Sequence, residues 1–436
     1  MLRFLRKLIR PSWRRPYHIV LAWVAAWRYG FPSRKLIVIG ITGTDGKTTT
    51  ATLTAAALEA GENGVGLSST VWFQVGKKKW LNESHMTMPG RFQLQHLLRQ
   101  MVDAGCHYAV LEVSSEGLAQ GRLVGIDVDI AVLTNITPEH IKSHGSFDKY
   151  LAAKKKLFTG VGQSKKKFLN GRDVPKVIIV NGDDEHADAF LDVVADERVV
   201  TTIQAAPPML KVNQKFSLHQ ATHLQLGASK TTFEFDGTGY ELELPGDYNV
   251  SNAVEAIAAA RAAGVPAERI KQGIATVHGV PGRFDVIDAG HERQLVIDYA
   301  VTPAAMRKLY TALRHRGAKN IIAVFGAAGG GRDVWKRPEL GKIADELADH
   351  IILTTEDPFN ESPEKIAAEI LAGISHSEKV VVELDRRAAI EQALRMAKPG
   401  DVIALTGMGS ETTMNVAQGK QVPWNDRDVV EDILLA

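Results

Sequence analysis

From Lys35 onward, short apolar runs alternate with longer stretches whose apolar residues recur at helical spacing. "KLIVIGIT" reads as a buried strand and "KTTTATLTAAALEA" as the helix that follows it. "YAVLEV", "DIAVLTNI" and "KVIIVNGDD" repeat the strand pattern, with "FDKYLAAKKKLF" as a helix among them. Near-continuous apolar strands separated by helices predict an α/β core with a mainly parallel sheet. Between residues 215 and 245 the period drops to two. "THLQL", "TTFEF" and "YELEL", separated by "GASK" and "DGTG", predict an antiparallel meander. A helix over "LPGDYNVSNAVEAIAAARAAG" follows, and a second α/β unit begins near "GVPGRFDVID". Its strands are "QLVIDYA", "NIIAVFG", "HIILTT", "KVVVEL" and "DVIALTG". The expected divisions are a helical extension over 1–34, a central domain over 35–283 and a C-terminal domain over 284–436.

At 436 residues and 45% hydrophobic content, the chain can bury two or three full cores. Its net charge of +2 hides an asymmetry. Arg3, Arg6, Lys7, Arg10, Arg14, Arg15, Arg28, Arg34 and Lys35 precede the first acidic residue, Asp45, so everything after that front is mildly acidic. A secretory signal would place basic residues before an apolar run, as "HIVLAWVAAW" does, but Arg28 and a strand follow at once. A basic helix packed on the body is the expectation, with peripheral contact to anionic lipid through residues 1–35 as the alternative. Cys106 is the single cysteine, which excludes an internal disulfide and argues against thiolate metal sites. No run of about 18 apolar residues exists to span a bilayer. A cytoplasmic location is expected, peripheral to the membrane's inner face if the basic front binds lipid.

"GITGTDGKTTT", Gly40 to Thr50, carries the most explicit chemistry. A strand, a glycine turn and a helix opening on Lys47-Thr48 present backbone N–H groups and a helix N-terminus to an anion. Lys47 adds a charge for phosphate oxygens, and the Thr48 hydroxyl suits Mg²⁺. The usual G-x-x-x-x-G-K-[ST] spacing would need glycine at Ile41, so the loop is a shorter form. Glu112, closing a buried strand, is a second candidate for the cation.

These motifs resemble the ATP-dependent Mur ligases of peptidoglycan synthesis, and most of all their muramoyl-tripeptide synthetase branch. The likeness runs from about residue 36 to 430. It rests on "TGTDGKTTT", "LEVSSEGLAQGR", "TNITPEH", "YLAAKKKLF", "NGDD", "LPGDYNVSN", "VPGRFD", "IDYAVTP", "GGGRDVWKRP", "TTEDPFNE" and "GMGSE", in family order. The resemblance implies a P-loop-type central ATPase domain followed by a Rossmann-like domain. It implies ATP held by Gly43, Thr44, Asp45, Gly46, Lys47, Thr48 and Thr49, with Asn249 and Asn252 facing adenine and Arg283 and Asp298 reaching phosphate and ribose. Asn135 would lie near the γ-phosphate. Two Mg²⁺ sites would use Thr48, Glu112, His140 and Lys154, the last as a carbamate formed with CO2. A lysine that reacts so must be partly desolvated. Lys155 and Lys156 read as a solvated face.

The implied reaction transfers the γ-phosphoryl group of ATP to a carboxylate, and an amine then displaces phosphate from the acyl phosphate to give an amide. The implied acceptor is UDP-N-acetylmuramoyl-L-alanyl-D-glutamate, met by Thr87, Ser114, Gln120 and Arg122. The sequence departs from the family at Glu116, where a histidine is usual, and at "HMTMP", which keeps only Thr87 and Pro89. The family's N-terminal uridine-binding domain has no counterpart before Lys35, so a lipid-linked acceptor is the alternative. Arg332, Asp357, Phe359, Gly407 and Glu411 match the amino-acid end. Phe359 stands where diaminopimelate-adding members carry arginine, and Glu356, Asp357, Glu361 and Glu411 favour a cationic side chain, so L-lysine or a similar diamino acid is expected. Val301, Met408 and Ser410 are smaller departures. A monomer with no nucleic-acid partner is expected. The competing readings are a diaminopimelate-adding enzyme, a folylpolyglutamate-synthetase-like ligase, and a non-catalytic nucleotide-binding module.

Overall fold

The computed structural model describes residues 11–61, 64–84, 86–206, 210–227 and 230–435. Arg3, Arg6, Lys7 and Arg10 of the basic front, His85 of "HMTMP" and Ala228 and Ser229 of the "GASK" turn lie outside the described residues. The fold is the expected α/β arrangement on two large sheets.

The first sheet has eleven strands. Its centre is Ile37–Thr42, buried along its whole length and paired in parallel with Cys106–Glu112 on one side and Ile130–Leu133 on the other. Val177–Asn181 and Glu197–Thr202 extend the parallel part. The predicted meander, Ser217–Leu226, Thr231–Phe235 and Thr238–Leu242, does not form a separate layer. Ser217–Leu226 pairs in parallel with Glu197–Thr202, so the meander continues the same sheet to one edge. At the opposite edge stand Gly64–Ser68, Trp72–Val75 and Lys78–Leu81, which the apolar pattern did not separate because they are short and rich in Gly and Lys.

Helices cover both faces, giving two apolar cores. One packs Lys47–Glu59 and Asp247–Ala262 against the sheet, and the other packs Arg91–Asp103 and Phe147–Gln163. Lys47–Glu59 is built mostly of Thr and Ala and is buried almost all round because Asp247–Ala262 and Ala267–Ala275 lie beside it. The second sheet runs Asp285–Asp288, Gln294–Asp298, Val402–Thr406, Ile321–Phe325, His350–Leu353 and Val380–Val382. All its pairings are parallel except the first, and it too has a core on each face. The basic front forms a helix over Pro11–Arg28, packed on the first unit through Ala22, Ala25 and Ala26.

A buried ionic node fixes the strand Ile37–Thr42 to its surroundings. Asp129 accepts from Val38 N at 2.8 Å, from Lys167 Nζ at 2.5 Å and from Lys176 Nζ at 2.7 Å, all out of solvent. Deleting the anion strands two buried ammonium groups. Asp129→Ala should therefore lower unfolding free energy by about 3–5 kcal/mol in urea titrations. A loss below about 1 kcal/mol would show that the node contributes little.

Candidate functional site

The carboxyl ends of Ile37–Thr42 and Cys106–Glu112 open into a cleft between the two sheets, of about 530 Å³. Ligands collect at such strand ends because the loops there are free to turn toward them. Gly43 to Gly46 wrap the entrance of the helix Lys47–Glu59. Gly46 has φ 81°, and a Cβ on it would strike Asn252 Oδ1, so only glycine lets the helix start there. Lys47 Nζ reaches back to Thr44 O at 2.7 Å. Desolvation lowers its pKa, against the opposing pull of Glu112 and Asp45.

Glu112 sits at the strand end with its carboxylate fully engaged. It accepts from Thr48 Oγ1 at 3.1 and 3.2 Å, from Thr70 N at 2.7 Å and from Thr70 Oγ1 at 2.9 Å. Thr70 Oγ1 also meets Thr87 Oγ1 at 3.1 Å. Thr48 and Glu112 together are an oxygen donor set that fits a hard divalent cation such as Mg²⁺. Thr70 was not singled out in the sequence. It follows the short strand Gly64–Ser68, and no local pattern ties it to a glutamate 42 residues away.

Lys154, on Phe147–Gln163, is 2% exposed. Its Nζ donates to Gly43 O at 2.5 Å and lies 4.7 Å from the Tyr150 ring centre. Desolvation, then the Lys47 ammonium, hold its pKa well below the ordinary lysine value. Lys156 on the same helix is exposed and Lys155 half-buried. His140 is in the left-handed region at φ 54°. His140 is exposed by surface area, yet partial desolvation beside the cleft, then Lys154 and Lys47, lower its pKa to about 4 against the pull of Glu116, which favours a neutral imidazole at pH 7.

The second unit completes this centre. Asp333 Oδ2 accepts from His140 N at 2.8 Å and Oδ1 from Ile141 N at 3.1 Å. Lys336 Nζ pairs with buried Glu139 at 3.2 Å, while Glu139 Oε2 is buried without a hydrogen-bond partner. Ligand atoms of Glu139, His140 and Asp333 lie within 4.8 Å of one another. With its one unpartnered oxygen, this cluster fits a second cation. Glu139, Asp333 and Lys336 were missed although their motifs were read, because nothing local shows that "PEH" and "GGGRDVWKRP" meet across the cleft. Thr302 Oγ1 adds another bridge, to Asp45 Oδ2 at 3.1 Å.

Asn249, Asn252, Asn135 and Asp298 line a smaller adjoining cavity of about 80 Å³, and Arg283 lines both cavities. Arg283 lies over the Tyr299 ring at 4.6 Å, with a buried Nε lacking a partner. The asparagine amides are partly committed. Asn249 Nδ2 donates to Pro245 O at 2.7 Å, and Asn252 Nδ2 donates to Asn249 Oδ1 at 3.0 Å. Asn135 Oδ1 accepts from Asp45 N at 2.9 Å and its Nδ2 donates to Asp45 O at 3.1 Å, so it braces the loop from the smaller cavity. Desolvation raises Asp298 to a pKa of about 6, although Phe284 N donates to it at 2.6 Å.

Thr87, Ser114 and Arg122 line the larger cleft. Gln120 does not. Its Oε1 accepts from Arg122 Nη2 at 3.0 Å and so holds that arginine. At the far end Arg332, Glu356, Asp357, Gly407 and Glu411 face the cleft, but Phe359 lies outside the lining, with the Arg332 guanidinium 5.1 Å over its ring. Asp357 binds Asn415 N at 2.7 Å and Asn415 Nδ2 at 2.9 Å. Glu361, expected to be available to a substrate, is instead paired with the buried Arg337 through two 2.9 Å bonds, which pull its pKa down to about 2. Burial raises Glu356 to about 7. Gly407, at φ 105°, leaves room for that carboxylate, since a Cβ there would strike Glu356 Oε2.

Family models for the Mur ligase middle domain and the Mur ligase glutamate ligase domain match residues 41–260 and 282–409. The chain belongs to the Mur ligase family. It is similar to the UDP-N-acetylmuramyl-tripeptide synthetase of Roseiflexus sp. (strain RS-1), at 39% identity over 95% of this chain and 82% of the relative. It is also similar to the UDP-N-acetylmuramoyl-L-alanyl-D-glutamate--2,6-diaminopimelate ligase of Aquifex aeolicus, at 36% identity over 93% and 79%. A solved structure of a ligase with that diaminopimelate title aligns at TM-score 0.61 with 28% identity, over 98% of this chain and 83% of that one. A folylpolyglutamate synthase of Mycobacterium tuberculosis shares the fold at TM-score 0.66 and 19% identity.

The protein is thus an ATP-dependent amide ligase of peptidoglycan synthesis, and a mere nucleotide-binding module is set aside. The Thr48 and Thr70 hydroxyls and the Thr70 amide hold the Glu112 carboxylate in place at the strand end. Thr70→Val keeps the backbone donor and removes the hydroxyl. It should raise the Mg²⁺ concentration that half-saturates ADP release by about tenfold. An unchanged Mg²⁺ titration would separate Thr70 from the cation.

Proposed function

We propose that this Mur ligase joins L-lysine, or a similar diamino acid, to UDP-N-acetylmuramoyl-L-alanyl-D-glutamate. The reading is carried by the far end of the cleft, which Glu356, Asp357 and Glu411 line together with Arg332, with no second arginine at Phe359. Arg332 would hold the α-carboxylate and the acids the distal ammonium. Arg122, held by Gln120, with Thr87 and Ser114, would place the acceptor carboxylate toward the loop. The tripeptide-synthetase and diaminopimelate-ligase names of the relatives support the acceptor; the former specifies no amino acid and the latter names diaminopimelate, the amino acid of the competing reading.

Lys47, the helix N-terminus and Arg283 would neutralise the phosphate oxygens as the phosphoryl group passes to the acceptor carboxylate. Bound Mg²⁺ supplies further charge neutralisation, held by Thr48 and Glu112 and by the cluster around His140. Asn249, Asn252 and Asp298 would frame the nucleoside in the smaller cavity. The amine then attacks the acyl phosphate, phosphate leaves, and one proton is released. Lys154, buried and readily neutral, is suited to react with CO2, and the resulting carbamate would turn a repelling cation beside Lys47 into an anion. The protein would act as a monomer in the cytoplasm.

Lys154→Ala should cut amino-acid-dependent ADP release by about 10²-fold or more, with unchanged folding by circular dichroism. Activity close to that of the unaltered enzyme would remove Lys154 from the reaction. For the amino acid, turnover of lysine, ornithine and diaminopimelate should be compared in competition, with lysine preferred. Because Glu356 holds its proton below a pKa of about 7, KM for lysine should rise as pH falls through that value, and Glu356→Gln should remove the inflection. Clear preference for diaminopimelate would overturn the lysine reading.

A further inference from the structure

The helix Pro11–Arg28 has one face that the ligase reading does not use. Val20, Trp23, Val24 and Trp27 are 60%, 50%, 45% and 74% exposed, and their spacing of three, four and seven residues sets them on one side of the helix. The opposite side, Ala22, Ala25 and Ala26, is fully packed. Two tryptophans and two valines left in water by a helix already anchored on its other side are an apolar surface awaiting a partner.

The charge of the sequence segment that carries this helix indicates which partner. Nine Lys/Arg and no acidic residue precede Asp45. A second copy of this chain would bring two such basic segments together, whereas an anionic lipid surface accepts the charge and the apolar face at once. Tryptophan, with an apolar body and a polar N–H, is the side chain best suited to the boundary between headgroups and acyl chains.

The same helix backs the mouth of the cleft. Its Ala26 packs directly on Gly125, where a Cβ would come 2.6 Å from the alanine methyl, and a Cβ on Gly121 would lie 3.8 Å from Ile19. Gln95 Nε2 also ties the loop, donating to Gly125 O at 3.3 Å. Between those glycines stands Arg122, which turns into the cleft. The helix and the acceptor-side loop are therefore one packed unit.

We infer that Val20, Trp23, Val24 and Trp27 seat this enzyme on an anionic lipid surface, with the acceptor side of its cleft held beside the membrane. Binding itself follows from the helix alone. Its use in gathering acceptor at the membrane rests on the ligase reading.

The test uses the full chain in co-sedimentation with vesicles of phosphatidylglycerol mixed into phosphatidylcholine, and with phosphatidylcholine alone. Binding should be at least about tenfold tighter to the anionic vesicles and should weaken with added salt. The double substitution Val20→Glu with Trp27→Glu should lower it by about tenfold or more. Trp27→Gln serves as a milder variant if the double one unfolds, and should lower binding severalfold. ADP release measured with soluble acceptor and no vesicles should stay unchanged in these variants. Equal vesicle binding by variants and unaltered protein, no binding to either vesicle, or a dimer in sedimentation velocity that the substitutions dissolve would each overturn the lipid assignment. Vesicle binding without any ADP release in the unaltered protein would uphold the surface and overturn the ligase reading instead.

Discussion

Two lysines enclosed beside each other at the start of a helix set the terms for the whole cleft. Lys47 and Lys154 repel one another, and the N-terminus of Lys47–Glu59 adds its own positive potential. Such a concentration of positive charge away from bulk water is costly unless anions answer it. Glu112 and Asp45 do so in part, and Lys154 also relaxes by giving up its proton readily. What remains is a site built to receive the oxygens of a polyphosphate.

The second sheet meets this centre through charge as well. Asp333 reaches over to the amides of His140 and Ile141, Lys336 pairs with Glu139, and Thr302 meets Asp45. These three contacts set the closed cleft, in which the imidazole of His140 is neutral and Glu139 keeps one oxygen free of protein donors. Separation of the two units would break all three and return the groups to water, so closure and assembly of the site are one event.

The acidic end shows how burial edits a charge count. Four carboxylates stand in "TTEDPFNE" and "GMGSE", yet Glu361 is neutralised by Arg337, Asp357 is held by Asn415, and Glu356 is pushed up to about 7. Phe359, which occupies an arginine's place in the motif, supports Arg332 from beneath without entering the cleft.

The strand-turn-helix at Gly40 to Thr50, the buried parallel strands and the meander were all legible in the sequence. Each is a local matter of apolar period or of glycine and charge at fixed spacing, which neighbouring residues decide among themselves. Thr70 on Glu112, Asp333 on His140, Lys336 on Glu139 and the loss of Glu361 to Arg337 join residues 24 to 197 positions apart. No local spacing records such meetings. They arise only when two sheets pack and desolvated charges must find partners, and the same packing decides that Ala22, Ala25 and Ala26 go inward while Trp23 and Trp27 stay out.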